Sequence, residues 1–174
     1  MNIVNFEFKA KVPDIKNLEE KLLTLHPVFH GEDHQVDTYY NVAEGRLKLR
    51  EGNIENSLIY YERQNTSAAK QSNIILYKHQ PGSSLKQILE RVHGIKVIVD
   101  KRRRIYFINN VKFHFDTVAR LGTFLEVEAI DETRSIGIDK LQQQCMHYFE
   151  FFNLRSEDYV HCSYSDLLVA QPEA

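Results

Sequence analysis

Apolar and polar side chains alternate with period two along most of this chain, so strands are the expected elements. The alternation predicts strands over about residues 3–12, 34–42, 45–52, 57–64, 71–79, 95–108, 111–118 and 123–131. Glu44-Gly45, Glu51-Gly52-Asn53 and Asn109-Asn110 separate neighbouring strands. Gly and Asn tolerate the positive φ of tight hairpins, and links this short make successive strands antiparallel neighbours. Four segments switch to helical spacing. Asp14 is placed to cap a helix whose face carries Ile15, Leu18, Leu22 and Leu25. Ser84 opens a second, with Leu85, Ile88, Leu89 and Val92, ended by Gly94. A third runs over about 138–152 with Ile138, Leu141, Cys145, Tyr148, Phe149 and Phe152 on one face, and a short one covers 164–169. The stretch 64–73 reads as a loop and the last four residues as a frayed tail. There is no internal repeat and no dividing linker, so residues 1–174 are expected to form one domain.

The polar half of this alternation is charged. Side chains two apart on a strand share a side. Asn5, Glu7, Lys9 and Lys11 therefore oppose Val4, Phe6, Phe8 and Ala10. Arg46, Lys48 and Arg50 oppose Leu47 and Leu49; Lys112, His114 and Asp116 oppose Val111, Phe113 and Phe115; Glu126 and Glu128 oppose Leu125 and Val127. Lys101 and Arg103 line up with each other. A two-layer α+β domain with one solvated sheet face is the plain explanation, because antiparallel sheets commonly have one. Two features oppose it. The charge signs segregate by strand, and about eight strands suffice to close a barrel. If helices cover the apolar face, the charged face turns inward.

Counting Lys9, Lys11, Arg46, Lys48, Arg50, Arg63, Lys101 and Arg103 against Glu7, Asp116, Glu126 and Glu128 gives the inner face a surplus of four positive charges. A dry lumen of that kind is unstable, since unpaired buried charges cost several kcal/mol each. It is expected to be wet, paired or built for a ligand. A polyanion with divalent cations matches both signs: Arg and Lys bind phosphate oxygens, and carboxylates supply the hard oxygen ligands of Mg²⁺ or Mn²⁺. Glu126-x-Glu128 sets two carboxylates side by side on one face, with their Cα atoms about 7 Å apart.

The whole chain sets limits on the partners. Its 174 residues carry 22 Lys+Arg against 24 Asp+Glu, a net charge of −2, which opposes a generic nucleic-acid binder. Along Lys101-Arg102-Arg103-Arg104, alternation turns two of the four cations away from the others. No apolar run approaches the roughly 18 residues of a membrane span. The opening MNIVNFEFKAKV lacks a basic segment followed by an apolar one, so no signal peptide and a cytoplasmic location are expected. Cys145 and Cys162 are expected as free thiols. No HExxH and no Gly-rich phosphate loop is present, and His114 reads as a packed or hydrogen-bonded histidine.

These residues bring the sequence to a known family. It resembles the CYTH-domain superfamily, which holds class IV adenylate cyclases and thiamine-triphosphatase-like enzymes. The family's first-strand Glu-x-Glu-x-Lys stands here as Asn5-Phe6-Glu7-Phe8-Lys9, with Asn5 in place of the first Glu. Then follow, in the family's order, Gln35 to Tyr40, Gly45-Arg46-Leu47-Lys48-Leu49-Arg50, Leu58 to Arg63, Lys101-Arg102-Arg103, and Asp116 leading into Leu121 to Glu128. The resemblance spans about residues 3–169 and is closest to the class IV cyclase-like branch. It implies an α+β fold: an eight-stranded antiparallel closed barrel, the triphosphate tunnel, with a polar lumen and helices packed outside.

The resemblance also implies roles. Lys9, Lys48, Arg50, Arg63, Lys101 and Arg103 would contact the phosphates of a triphosphate-containing small molecule. Glu7, Asp116, Glu126 and Glu128 would hold Mg²⁺ or Mn²⁺. Related triphosphatases pair a first-strand Lys with a Tyr to activate water, which implies Lys9 and Tyr39; a core Tyr with a satisfied hydroxyl is the structural alternative. Arg46 and Lys11 would lie at a rim. Three readings of function follow. One is a metal-dependent hydrolase of a triphosphate, inorganic or organic. The second is a cyclase making cyclic AMP and pyrophosphate from ATP, and the third a non-catalytic polyphosphate or nucleotide sensor. None involves a nucleic acid or a membrane, and a monomer or a homodimer suits each.

Overall fold

The structure, a computed structural model, describes residues 4–63, 72–82 and 84–171, without the side chains of Arg63, Ser72 and Asn73. Of the expected loop over 64–73, residues 64–71 lie outside the described residues and Ser72 and Asn73 open a strand; of the tail over 171–174, residues 172–174 lie outside them. Eight strands appear in the order β1 (Val4–Lys11), β2 (Val28–Tyr40), β3 (Arg46–Glu51), β4 (Ser57–Arg63), β5 (Ser72–Lys78), β6 (Ile95–Ile108), β7 (Val111–Val118) and β8 (Gly122–Asp131). Helix α1 (Ile15–Leu23) follows β1, α2 (Leu85–His93) follows β5, and α3 (Ile138–Phe151) and α4 (Tyr164–Val169) follow β8. The strands form one sheet in the order β1-β8-β7-β6-β2-β3-β4-β5, every pair antiparallel.

The expected closed barrel is corrected to an open half-barrel. β1 and β5 are the two ends of the sheet, and the described residues show no pairing between them. The free side of β1 is already engaged: Ala10 bridges Tyr159, and the Val160 N–H donates to the Lys9 carbonyl at 2.8 Å. The C-terminal chain thus occupies that edge at Lys9 and Ala10.

The apolar faces pack as the alternation requires. Phe8, Ala10, Phe113, Phe115, Leu125 and Val127 are buried with Leu22 of α1 and Leu141, Cys145 and Tyr148 of α3. Tyr40 and Leu49 pack with Leu89 of α2. Two details differ from the periodicity. Helix α1 stops at Leu23, so Leu25 lies beyond it and is exposed. β2 begins at Val28, six residues before the expected start, because residues 30–34 carry no apolar side chain to alternate and a bulge falls between Phe29 and Gly31. Asp14 accepts from the Asn17 N–H at 3.2 Å as a cap should, whereas Ser84 makes no side-chain cap bond. Helix α4 lies across one end of the concave face, with Tyr164 and Leu168 buried against Tyr39, Tyr61, Val99 and Phe124.

Candidate functional site

The charged faces of the strands line the concave side as one continuous groove. Its β2–β3–β6 side is organised by Asp37, which is fully buried. The register sets Asp37 opposite Arg50 on β3 and Val99 on β6. Arg50 donates to both Asp37 oxygens (2.8 and 2.9 Å), Lys101 donates at 2.9 Å and Lys48 at 3.2 Å. Against the cost of burial, Arg50, Lys101 and Lys48 hold the Asp37 carboxyl well below the usual carboxylate range. Asp37 takes Lys48 and Lys101 and shares Arg50 with Glu55. Burial, reinforced by Arg50, Arg103 and Lys48 and only partly offset by Asp37, brings the Lys101 ammonium down to about 7.

The β1–β8 side is built from two facing pairs, Glu7 opposite Glu128 and Lys9 opposite Glu126. Lys9 pairs with Glu126 at 3.1 Å. Asn5 donates its amide to Glu128 Oε1 at 2.7 Å. Burial and the negative charge of Glu7 push the Glu128 carboxyl up to about 7, although Lys112 and the Asn5 amide pull it down. Here the excess is negative.

Arg103 joins the two sides. Its guanidinium forks onto Asp116 (2.7 and 2.6 Å) and reaches Glu126 at 3.4 Å. The Tyr164 hydroxyl donates to Asp116 at 2.7 Å. His114 lies 2.9 Å from Glu126 through Nδ1, and burial holds it near 4, so the imidazole is neutral at pH 7. With its proton on Nδ1 it donates to Glu126, and its buried Nε2 has no partner among the described residues.

The predicted residues therefore share one surface, with differences. Lys9, Lys48, Arg50, Lys101 and Arg103 all face the groove, as do Glu7, Asp116, Glu126 and Glu128. The Arg63 side chain lies outside the described residues. Arg46 contacts α4, bonding Ser163 at 2.6 Å and Asp166 at 2.9 Å, and Lys11 is exposed. Arg102 and Arg104 point to the other face, where Arg104 meets Glu19 and Glu32. Lys9 and Tyr39 are not brought together: Lys9 sits 4.2 Å from the Tyr164 ring centroid, while Tyr39 neighbours Lys48, whose ammonium lies 3.4 Å from its hydroxyl. Burial, then Asp37, raises the Tyr39 phenol, which disfavours the phenolate.

The expected surplus of four positive charges is also corrected. Asp33, Asp37 and Glu55 add acids the count omitted, and each described groove cation has a carboxylate within 3.2 Å. Asp37 was legible, since alternation within the expected strand puts it on one face with Gln35 and Tyr39, whereas Asp33 lies just before that strand's expected start. Glu55 sits in a turn, where no period applies. Lys112 was placed on the face but left out of the count.

The donor set can be compared with a divalent cation. Among the described residues, no three His, Cys, Asp or Glu side chains converge as a ready-made ligand group. Asp116 is committed to Arg103 and Tyr164, and Glu126 to Lys9 and His114. Glu7 and Glu128 fit best: two facing carboxylates whose mutual repulsion a hard cation would relieve.

Comparison with known proteins follows the same line. The CYTH domain family matches residues 4–161. A protein of Methanocaldococcus jannaschii described as a "putative adenylate cyclase" is 24% identical over 175 residues, covering 95% of this chain and 98% of that one. A Pyrococcus horikoshii protein has a similar structure, with a TM-score of 0.82 and 23% identity over 94% of this chain and 98% of that one. A Hippeastrum protein, described as a "putative adenylyl cyclase" that reveals a dominant triphosphatase activity, has a TM-score of 0.62 at 12% identity, covering 95% and 94%. At these identities the structural likeness is one of fold. No helix among the described residues is long and apolar enough to cross a membrane.

Proposed function

The chain belongs to the CYTH domain family, and on that footing we propose that it is a divalent-cation-dependent phosphohydrolase that removes the terminal phosphate of a triphosphate, inorganic or organic. One observation carries this reading. A single groove gathers Lys48, Arg50 and Lys101 around Asp37 on one side, where burial brings the Lys101 ammonium down to about 7, and sets Glu7 against Glu128 on the other, where burial and Glu7 push the Glu128 carboxyl up to about 7. A triphosphate with its cation satisfies both at once. Phosphoryl transfer needs positioning and charge neutralisation more than covalent chemistry.

In this reading the Arg50 and Arg103 guanidinium forks and the Lys48 and Lys101 ammonium groups bind phosphate oxygens, and Asp37 and Asp116 hold those cations in place between turnovers. Lys9 lies at the junction, where its ammonium can pass from Glu126 to a phosphate oxygen. Mg²⁺ or Mn²⁺ held by Glu7 and Glu128, with Glu126 beside them, would neutralise charge on the phosphates. The hydrolysis adds water across the terminal P–O–P bond and releases orthophosphate. Tyr39, with its raised pKa, is assigned to positioning Lys48 rather than to taking a proton.

The name carried by the Methanocaldococcus jannaschii relative favours a second reading, cyclisation of ATP with release of pyrophosphate. That reaction needs a surface for adenine. Tyr39, Tyr61, Phe124 and Tyr164, the aromatic side chains of the groove, are packed on one another at the α4 end. The test is incubation with Mg²⁺ or Mn²⁺ and a panel of triphosphates. Orthophosphate release supports hydrolysis; pyrophosphate with a cyclic nucleotide establishes the second reading; binding without turnover leaves a sensor.

A further inference from the structure

Glu55 belongs to the turn between β3 and β4, and that turn is pinned onto β2. The Ile54 and Glu55 N–H groups donate to the two oxygens of buried Asp33 (2.9 and 3.0 Å). Asn53 accepts from the His34 N–H at 2.6 Å and donates to the Glu32 carbonyl at 2.9 Å. Two glycines permit the close approach. A Cβ on Gly52 would stand 2.6 Å from Asp33 Oδ1, and one on Gly31, where φ is +143°, 2.7 Å from Ile54 Cδ1.

The turn delivers one carboxylate to three donors on three strands. Glu55 accepts from Arg50 Nη1 of β3 at 2.9 Å, from Gln35 Nε2 of β2 at 3.1 Å and from Lys112 Nζ of β7 at 2.9 Å. β3 and β7 are separated in the sheet by β2 and β6, so the contact spans the groove. Despite burial, Lys112 and Arg50 keep the Glu55 carboxyl far below the ordinary carboxylate range, so it is an anion at neutral pH.

We propose that Arg50, Lys112 and Gln35 form an oxyanion subsite for one phosphoryl group of the substrate, and that Glu55 is its built-in occupant, a carboxylate strap that a polyphosphate must displace. The proposal rests on the phosphohydrolase reading of the same groove and names its selectivity. Three convergent donors match the three free oxygens of a terminal phosphoryl group. Orthophosphate or pyrophosphate gains too few contacts to expel a carboxylate bonded on three sides. A triphosphate that also engages Lys48, Lys101 and Arg103 gains enough. Glu55 is thus a specificity-determining residue that sets a minimum length and charge for the polyanion. Once displaced, it leaves a dianionic phosphoryl group where a monoanion had been, which suits Arg50 and Lys112 better.

Titration calorimetry with tripolyphosphate, pyrophosphate and orthophosphate, each with Mg²⁺ and each in chelator, tests this on wild type, Glu55→Gln, Glu55→Asp and the double variant Glu55→Gln/Lys112→Met. Asp is one methylene shorter and cannot hold all three donors, so it covers the case in which Gln misfolds. Glu55→Gln is expected to bind tripolyphosphate about tenfold more tightly and to acquire measurable pyrophosphate binding. The double variant is expected to lose that gain. A cooperatively folding Glu55→Gln with unchanged or weaker affinity, beside a wild type that binds tripolyphosphate, would overturn the strap and leave the phosphohydrolase reading standing. The expected gain without turnover of any triphosphate would uphold the strap and overturn the phosphohydrolase. Absence of binding in every variant would overturn both.

Discussion

The two sides of the groove are out of balance in opposite directions. On the β2–β3–β6 side one carboxylate, Asp37, answers to Lys48 and Lys101 and shares Arg50 with Glu55. On the β1–β8 side Glu7 and Glu128 face each other, and an amide, Asn5, stands where the family has a third carboxylate. Burial multiplies both mismatches, because a low dielectric penalises each unmatched charge. Lys101 and Glu128 respond from opposite sides by approaching the same value, about 7. Under the proposed function, a triphosphate bound with its cation would answer both walls at once.

The largest test breaks the joint between the sides. Arg103→Met removes the fork on Asp116 and the reach to Glu126, leaving two buried carboxylates short of their partner. Breaking a buried pair from one end costs about 3–5 kcal/mol. Urea denaturation is expected to show that loss with an unchanged m-value; a loss under about 1 kcal/mol would mean the sides do not depend on Arg103.

A smaller effect separates the two carboxylates that the Glu-x-Glu spacing made look equivalent. Glu126 holds Lys9, His114 and Arg103, so Glu126→Gln is expected to cost about 2 kcal/mol. Glu128 is crowded by Glu7, so Glu128→Gln is expected to be neutral or slightly stabilising without metal. Both substitutions are expected to abolish metal-dependent turnover. Equal stability of the two variants would remove the distinction between the sides.

This asymmetry shows where sequence reading stops. Alternation placed Glu126 and Glu128 on one face with Lys9, Lys101 and Arg103, and turn residues placed most strand boundaries, because both depend on neighbours along the chain. Which carboxylate is satisfied depends on the registers that bring Lys9 of β1, His114 of β7 and Arg103 of β6 to Glu126. Closure was misjudged for the same reason. Counting strands says a barrel can close, yet Tyr159 and Val160 of the C-terminal chain occupy the β1 edge. Glu55 lies in a turn, and its reach to Lys112 depends on the curl of the whole sheet.

Proton linkage sharpens the comparison further. Between the ordinary carboxylate value of 4.5 and about 7, native Glu128, facing Glu7 and Asn5 on β1, Lys112 on β7 and Glu126 on β8, keeps a proton that the unfolded chain has released. Stability therefore falls as pH rises through that window. Between about 7 and 10.5, native Lys101, facing Asp37 on β2, Lys48 and Arg50 on β3 and Arg103 on β6, lacks a proton that the unfolded chain carries. There stability rises with pH. The two contributions meet in a minimum near neutrality. Glu128→Gln is expected to flatten the acid limb and Lys101→Met the basic one, read as thermal midpoint against pH. Loss of both limbs in either single variant would show that the groups are not independent.

The smallest expected effect comes from restoring a charge to the acidic wall. Asn5→Glu exchanges an amide that donates to Glu128 for a third carboxylate on the same face as Glu7. Without a divalent cation this adds repulsion where Glu128 is already pushed up, so the melting temperature is expected to fall by a few degrees, equivalent to about 1 kcal/mol. With Mn²⁺ the order is expected to reverse, because each added anionic oxygen strengthens the hold on a hard cation and ligand binding raises the midpoint by mass action. The measurement is the melting temperature of wild type and variant across a Mn²⁺ titration, and the informative quantity is the crossing of the two curves. If they run parallel, Asn5 does not face the cation, and the negative excess around Glu128 has to be answered by a cationic group of the substrate instead.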